Sequence, residues 1–170
     1  GDDWKTVLGP VTLPEVTLDI DAARDQVRGV APPGAAVVVT AGASPFGPPV
    51  APRTTSSVAA PDGTFAVDLP GLDLAPGWRV KAVVEAATRV SLTHRSAVPQ
   101  VVVGIDTPGI AGVAAPGSDV TVTLRAPDAT VRYSETVTTN DRGLFGSHAY
   151  DVDDGEEVTF APGDSVEAAF

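Results

Sequence analysis

The chain has 170 residues, 17 glycines, 16 prolines, no cysteine, no methionine and a net charge of -11. This length allows one domain or two small ones, and the glycine and proline content excludes a helical bundle. The acidity makes nucleic acid an unfavourable partner, and the lack of cysteine excludes disulfides and thiolate chemistry. Glycine, proline or charge interrupts every valine-rich stretch, so no membrane-spanning segment is predicted.

Residues 1–14 form an extended amino-terminal segment that precedes the first predicted domain. Its apolar side chains are Trp4, Val7, Val11 and Leu13. Pro10 and Pro14 restrict any strand in this segment to an edge position or a short piece. The segment is either an additional strand or linker of its own domain, or a strand that is donated to another copy.

Residues 15–98 read as a series of short strands separated by turns. Val80, Ala82 and Val84 are spaced two residues apart, and this period of two places them on one face of a strand. The β-branched pair Val83-Val84 favours a strand over a helix in residues 82–88. Pro-Gly and Asp-Gly pairs supply the turns between such strands, so the sequence predicts an antiparallel sandwich.

The same pattern then occurs a second time. VRGVAPPGAAVVVT at residues 27–40 matches IAGVAAPGSDVTVT at 110–123, with an offset of 83 residues. PDGTF at 61–65 is echoed by NDRGLF at 140–145, in which Arg142 is interpreted as an insertion, and LAPG at 74–77 by FAPG at 160–163. Three blocks in one order predict two copies of one domain, the second covering residues 99–170, with a boundary near 98–100.

These blocks together resemble bacterial immunoglobulin-like domains that recur in tandem in surface adhesins and cell-wall proteins. Gly29, Ala31, Pro33 and Gly34 carry the first block of the resemblance, and residues 62–65 carry the second. The resemblance implies an all-β fold of two tandem immunoglobulin-like antiparallel β-sandwiches in an extracellular or cell-surface protein. No sorting motif ends the chain, and fibronectin-like and transthyretin-like sandwiches remain alternatives.

The two copies differ at their ends. Val166, Ala168 and Phe170 align with Val80, Ala82 and Val84, but residues 88–95 read as one more strand, which the second copy lacks. A sandwich without its last strand exposes core side chains and unpaired backbone groups. Because the VTL sequence at 11–13 resembles VSL at 90–92, the amino-terminal segment of one subunit is predicted to complete the second domain of the next.

Chemistry-bearing residues are few. His94 and His148 lie on predicted strands without a triad or phosphate-binding motif around them, so no enzyme activity and no cofactor are predicted. The carboxylates Asp151, Asp153 and Asp154 are weak calcium candidates, because their spacing does not fit the EF-hand loop. The group Asp19, Asp21 and Asp25 is looser still. Solvated loops are the favoured interpretation of both groups.

The sequence therefore predicts a non-enzymatic extracellular structural or adhesive subunit that assembles head to tail with itself. The donor residues are Trp4, Val7, Val11 and Leu13, and the acceptor residues are Val166, Ala168 and Phe170. The alternatives are a fragment of a multidomain surface stalk and a carbohydrate-binding accessory module of an exported enzyme, with a host or surface glycan as partner. Phe46, in the loop at 42–49, is the best candidate for an exposed contact, and the alternative is that the loop folds back as a lid on the sandwich. The start at Gly1 without methionine is typical of a processed exported product, and equally of a cloned fragment.

Overall fold

The computed structural model describes residues 14–87, 90–104, 109–147 and 160–170, in which all regular structure is strand except one short 3-10 turn, Ala22–Arg24. The strands of the first repeat are β1 (Thr17–Asp21), β2 (Gln26–Val30), β3 (Ala36–Gly42), β4 (Arg53–Val58), β5 (Thr64–Asp68), β6 (Arg79–Ala87) and β7 (Val90–Ala97). Those of the second are β8 (Gln100–Gly104), β9 (Gly109–Val113), β10 (Asp119–Arg125), β11 (Val131–Thr138), β12 (Leu144–Ser147) and β13 (Ser165–Ala169). The all-β prediction is confirmed.

The first repeat is a sandwich of two antiparallel sheets. One sheet has the strand order β1-β2-β5 and the other the order β4-β3-β6-β7. Alternate residues of both sheets point into one buried cluster, which includes Val27 from β2, Val39 from β3, Phe65 from β5 and Val84 from β6. The period of two read from the sequence is thus the period at which side chains enter this core.

The second repeat copies this arrangement strand for strand, with one exception. Its sheets have the orders β8-β9-β12 and β11-β10-β13, and its buried cluster includes Ile110, Val122 and Leu124. The copies also match in register, because Val39 pairs with Ala82 just as Val122 pairs with Ala168. The exception is β7, for which the described residues of the second repeat contain no counterpart.

A glycine beneath a phenylalanine ring packs the small sheet of each repeat. A Cβ atom at Gly29 would lie less than 3.0 Å from the Thr17 carbonyl oxygen and from the Phe65 ring. A Cβ atom at Gly112 would meet the Gln100 carbonyl oxygen and the Phe145 ring in the same way. Only glycine lets the backbone and the ring approach so closely at these two positions, which explains why the glycine recurs with the repeat.

The turn before β12 corrects one prediction from the sequence, the insertion of Arg142. Gly63 N–H donates to the Ala60 carbonyl (2.9 Å), and Gly143 N–H donates to the Asn140 carbonyl (2.9 Å), so the two turns have the same length. Arg142 therefore replaces Asp62 and is not an insertion. The capping oxygen has moved instead, because Asn140 Oδ1 accepts from the backbone N–H groups of Arg142 and Leu144.

The two sets of strands adjoin closely along the chain, because β7 ends at Ala97 and β8 begins at Gln100. Gly77 N–H donates to the Val98 carbonyl, and Val98 N–H donates to the Trp78 carbonyl (both 2.8 Å). These bonds fix the residue that follows β7. Among the described residues, none forms a helix with the length and apolar character that a bilayer crossing requires. The specific immunoglobulin-like assignment stays a prediction.

Candidate assembly interface

The last strand, β13, has a partner on only one side within the described residues. It pairs antiparallel with β10, from Thr121 opposite Ala169 to Arg125 opposite Ser165. Its counterpart in the first repeat, β6, pairs with β3 on one side and with β7 on the other. The free side of β13 therefore carries backbone N–H and C=O groups that no described strand satisfies, which is the chemistry of an open sheet edge.

A buried carboxylate anchors the beginning of β13. Asp164 Oδ2 accepts a hydrogen bond from Ala161 N–H (2.8 Å) and pairs with Arg132 Nη1 (3.0 Å). The Asp164 side chain is 5% exposed, and Gly163 has φ 93°, a conformation that favours glycine. The turn at 161–164 is thus held to β11, so the edge that follows it has a fixed starting point.

The inward side chains of β13 are less well covered than their counterparts in β6. Val80, Ala82 and Val84 are 1%, 0% and 0% exposed. At the equivalent positions Val166 and Ala168 are half-buried, and Phe170 is 56% exposed. In the first repeat β7 places Leu92 opposite Val84, whereas no described residue occupies that place beside Phe170.

Phe170 lies at the mouth of the second core. Its ring makes an edge-to-face contact with Phe145, with centroids 6.5 Å apart, the geometry that aromatic quadrupoles favour. Phe145 itself is held over Gly112 by the packing described above. The exposed apolar surface at Phe170 is therefore continuous with the core, so a strand added at this edge would extend an existing hydrophobic cluster.

A polar network lies within the same sandwich. The Tyr133 hydroxyl of β11 is hydrogen-bonded to Glu135 and to Ser147 of β12, so it joins the two sheets. Burial and the neighbouring Glu135 raise the pKa of Tyr133 to about 12. Hydrogen bonds from Ser147 and Tyr133 lower the pKa of Glu135. Because the phenol stays protonated and the carboxylate stays charged, the network holds the sheets together across the ordinary pH range.

The remaining sequence candidates fall into two groups. The donor residues Trp4, Val7, Val11 and Leu13, the calcium candidates Asp151, Asp153 and Asp154, and His148 lie outside the described residues. His94 is an exposed residue of β7, opposite Ala82. The donor and acceptor assignments stay predictions.

The acidic group near residue 21 has structural roles. Asp21 Oδ2 pairs with Arg24 (2.8 Å) and Arg28 (3.1 Å), and the hydrogen bond from Arg24 lowers the Asp21 pKa. Asp25 Oδ1 accepts from Leu74 N–H (2.9 Å). Within the described ranges, no group of three or more candidate ligands is placed to hold a metal ion.

The loop at 42–49 is partly held in place. Phe46 is exposed, as the sequence predicts for a contact residue, and its N–H donates to Ser44 Oγ (3.1 Å). Ser44 in turn donates to Gln100 Oε1 (2.5 Å) at the start of β8. The exposed ring therefore sits on a loop that is tied to the second repeat.

Sequence reasoning missed two residues that shape the edge. Arg132 fixes the turn before β13, and Phe145 supplies the contact to Phe170. Phe145 was detectable, because it occupies the place of Phe65 in the repeat. Arg132 was not, because it has no counterpart that pairs with a carboxylate in the first repeat among the described residues.

No protein-family model and no curated protein matches this sequence. The chain is similar to the solved structure of a tetra-tandem repeat in the extending region of a large adhesion protein, at 16% identity and a TM-score of 0.33. It is also similar to the BSP domain of a biofilm-associated protein, at 15% identity and a TM-score of 0.30. Each match covers 91% of this chain, which spans 47% and 26% of those chains. The fold assignment rests on the strand pairing described above and not on these two matches.

Proposed function

We propose that the chain is a non-enzymatic structural subunit of a surface adhesive filament, in which residues 1–14 of one copy add a strand to the open edge of β13 in the next. One observation carries the proposal. The inward residues of β6 are covered by β7, whereas the equivalent residues of β13 have no covering strand in the described part of the chain. The proposal supplies the missing cover from a second copy.

The first repeat is the template for the added strand. Its β7 runs antiparallel to β6 and places the half-buried Leu92 opposite Val84. A strand in the same place beside β13 would satisfy the free backbone groups through ladder hydrogen bonds, and its alternate side chains would cover the core. Backbone pairing would supply affinity, and the apolar side chains would supply register.

The amino-terminal segment has the pattern that this place requires. Val7, Val11 and Leu13 stand at odd positions, so an extended strand presents all three on one face. If residues 7–13 pair antiparallel with residues 164–170, Val7 lies opposite Phe170 and Val11 opposite Val166. A strand of ten residues reaches roughly 33 Å, which is enough to follow the edge.

Donor and acceptor belong to different surfaces of the subunit. A contact between unlike surfaces is heterologous, and it generates a ring or a filament according to the rotation between neighbours. The donor strand would hydrogen-bond the free backbone groups of β13 in every subunit except the one at the end of the filament. This also removes the aggregation hazard that an open edge with an exposed Phe170 represents.

The proposal is tested with three chains in negative-stain microscopy and light scattering. The intact chain is expected to form filaments, and a chain that lacks residues 1–13 is expected to form none. A third chain lacks residues 1–13 at its start and carries them after Phe170 on a glycine-rich linker. This third chain is expected to be a folded monomer. A control fusion replaces Val7, Val11 and Leu13 by serine in the transplanted segment and is expected to leave the edge open. An intact chain that stays monomeric at high concentration, or a deleted chain that still forms filaments, would support the stalk-fragment alternative instead.

A further inference from the structure

A cationic pocket lies between the larger sheet of the first repeat and the turn before β12 of the second repeat. The open pocket has a volume of about 430 Å³, and its lining includes Arg79, Lys81, Arg95 and Arg142. Thr40 and Ser96 add hydroxyl groups, and none of the lining residues that the structure describes is acidic. Four of the chain's 11 basic residues thus converge on one pocket in a protein of net charge -11.

Strand pairing explains how three of these cations come together. Arg79 and Lys81 are two residues apart on β6, so they share the face opposite to the buried Val80. Lys81 lies directly opposite Arg95 on β7 and opposite Thr40 on β3. Like charges placed directly opposite each other in a sheet are destabilising, so the first repeat retains an arrangement that works against its own stability.

The four cations of the pocket form no ion pair with a described carboxylate, whereas most other described cations do. Lys5 and Arg89 lie outside the described residues, which leaves nine of the 11 basic residues. Arg24, Arg28, Arg125 and Arg132 form ion pairs with carboxylates. Of the other five described cations, all except Arg53 line this pocket.

Arg79 adds a second observation. Its Nε atom is buried, and the described part of the chain offers it no hydrogen-bond acceptor. A buried donor without a partner carries a desolvation cost, and such groups are rare in folded proteins. An anion in the pocket would relieve the repulsion between Lys81 and Arg95, and a turn of the Arg79 side chain towards it would give Nε its acceptor.

We infer that this cationic pocket binds an anionic polysaccharide through its carboxylate or sulfate groups. The volume suits a sugar residue with one charged substituent, since pockets for small molecules begin at about 300 Å³. Guanidinium groups bind planar carboxylates and sulfates through paired hydrogen bonds. Among the described residues no aromatic side chain lines the pocket, so recognition relies on charge and neutral sugars are not expected to bind.

Nucleic acid fits the pocket less well. Duplex DNA carries one charge per roughly 1.7 Å of its length, so a long phosphate backbone would extend beyond four cations onto an acidic surface. A polysaccharide with one charge per sugar or per disaccharide spreads its charge more thinly. This site is independent of strand donation, because it involves neither residues 1–14 nor β13.

The inference is tested by titrating the intact chain, at low salt, with kappa-carrageenan, alginate, neutral dextran and a double-stranded DNA of similar length. Binding of kappa-carrageenan, alginate or both, with none of neutral dextran, is expected, and the two anionic probes separate sulfate from carboxylate recognition. Lys81→Gln with Arg95→Gln should weaken binding at least tenfold, and Arg142→Gln should weaken it by a smaller factor. The double variant should also raise the melting temperature of the first repeat, because the cross-strand repulsion is gone.

Arg53→Gln is the matched control, because it removes one unpaired cation that lies outside the pocket. It should leave binding within about twofold of the unchanged chain. The inference is overturned if Arg53→Gln weakens binding as much as the pocket variants, or if DNA binds as tightly as the polysaccharides. It is also overturned if the double variant changes self-association without changing polysaccharide binding, since the pocket would then contact another copy.

Discussion

The two repeats place the same apolar pattern on equivalent strands, β6 and β13, with different results. Val80, Ala82 and Val84 are fully buried because β7 lies beside them, whereas Phe170, at the place of Val84, is more than half exposed. The backbone registers are otherwise the same. Alternation in sequence therefore decides which face of a strand is apolar, while the neighbouring strand decides whether that face is buried.

The largest expected difference between the two strands comes from the same substitution at equivalent positions. Val84→Asp would place a carboxylate at a fully buried site, and it should destabilise the first repeat by more than about 4 kcal/mol. Phe170→Asp should cost the second repeat less than about 1 kcal/mol in the chain lacking residues 1–13, because Phe170 is already exposed to water. Urea unfolding followed by circular dichroism measures both effects.

Filament assembly should depend strongly on Phe170, although the stability of the second repeat does not. Phe170→Asp in the intact chain should abolish filaments, because a carboxylate would enter the new contact with the donor strand. Phe170→Leu is the matched control, since it keeps an apolar side chain there and should retain assembly. Filaments formed equally well by Phe170→Asp would show that the comparison of β6 with β13 has no bearing on assembly.

A smaller effect is expected at the glycines beneath the phenylalanine rings. Gly112→Ala forces a Cβ atom against the Gln100 carbonyl and the Phe145 ring, and it should destabilise the second repeat by about 1–3 kcal/mol. Gly29→Ala should do the same to the first repeat. Gly42→Ala is the control, because its Cβ atom would meet nothing within 4 Å, and its effect should stay within about 0.5 kcal/mol.

If Gly112→Ala leaves the unfolding curve unchanged, Phe145 is not held as described. Because Phe145 contacts Phe170, the same variant should also weaken filament formation. Gly29→Ala should not, since the first repeat does not contribute the acceptor edge. This difference links the packing of the second core to the assembly step.

The smallest expected effect is a difference in how the stability of the two repeats depends on pH, which arises from the turn at 60–63 and its equivalent at 140–143. Hydrogen bonds from the backbone N–H and the hydroxyl of Thr64 lower the pKa of Asp62 below 3.8. Because the folded pKa is below the unfolded one, this stabilisation is fully present above about pH 4 and is lost as the pH falls through the folded pKa. Asn140, which caps the equivalent turn, does not titrate.

Asp62→Asn should therefore make the acid unfolding of the first repeat less steep below pH 4 and leave the second repeat unchanged. Thermal melts between pH 2 and pH 6 measure this. Thr64→Ala is a useful companion, because it removes one of the two hydrogen bonds and should give an intermediate profile. An Asp62→Asn chain with an unchanged pH profile would contradict the assignment.

Much of this fold could be predicted from the sequence, because turn residues and alternation are local signals. The strand from Arg79 to Ala87 and the match of the two repeats follow from the printed residues alone. The replacement of Asp62 by Arg142 was harder to predict from the sequence. Arg142 looks like an insertion until the hydrogen bond from Gly143 N–H shows that the turn length is unchanged. The buried pair of Arg132 and Asp164 could not be predicted, because it joins residues 32 positions apart.

The cationic pocket was within reach of the sequence and was missed. Arg79 and Lys81 alternate with the apolar residues Val80 and Ala82 on a predicted strand, and Arg95 follows on the next strand. Without the register, the direct opposition of Lys81 and Arg95 was not visible. Pairing between strands is the information that period-two reasoning lacks.

The most direct test of strand donation is a disulfide between two different chains. The protein has no cysteine, so Val11→Cys and Val166→Cys chains can be mixed and oxidised without background. Directly opposed residues of antiparallel strands have Cα atoms about 4.5–5.5 Å apart, within the range that a disulfide spans. Strand donation predicts a covalent dimer on a non-reducing gel for this pair, and far less dimer for Thr12→Cys mixed with Val166→Cys, because residue 12 faces the other side of the donor strand. Equal yields from the two mixtures, or no dimer in either, would contradict the donation of residues 1–14 to β13.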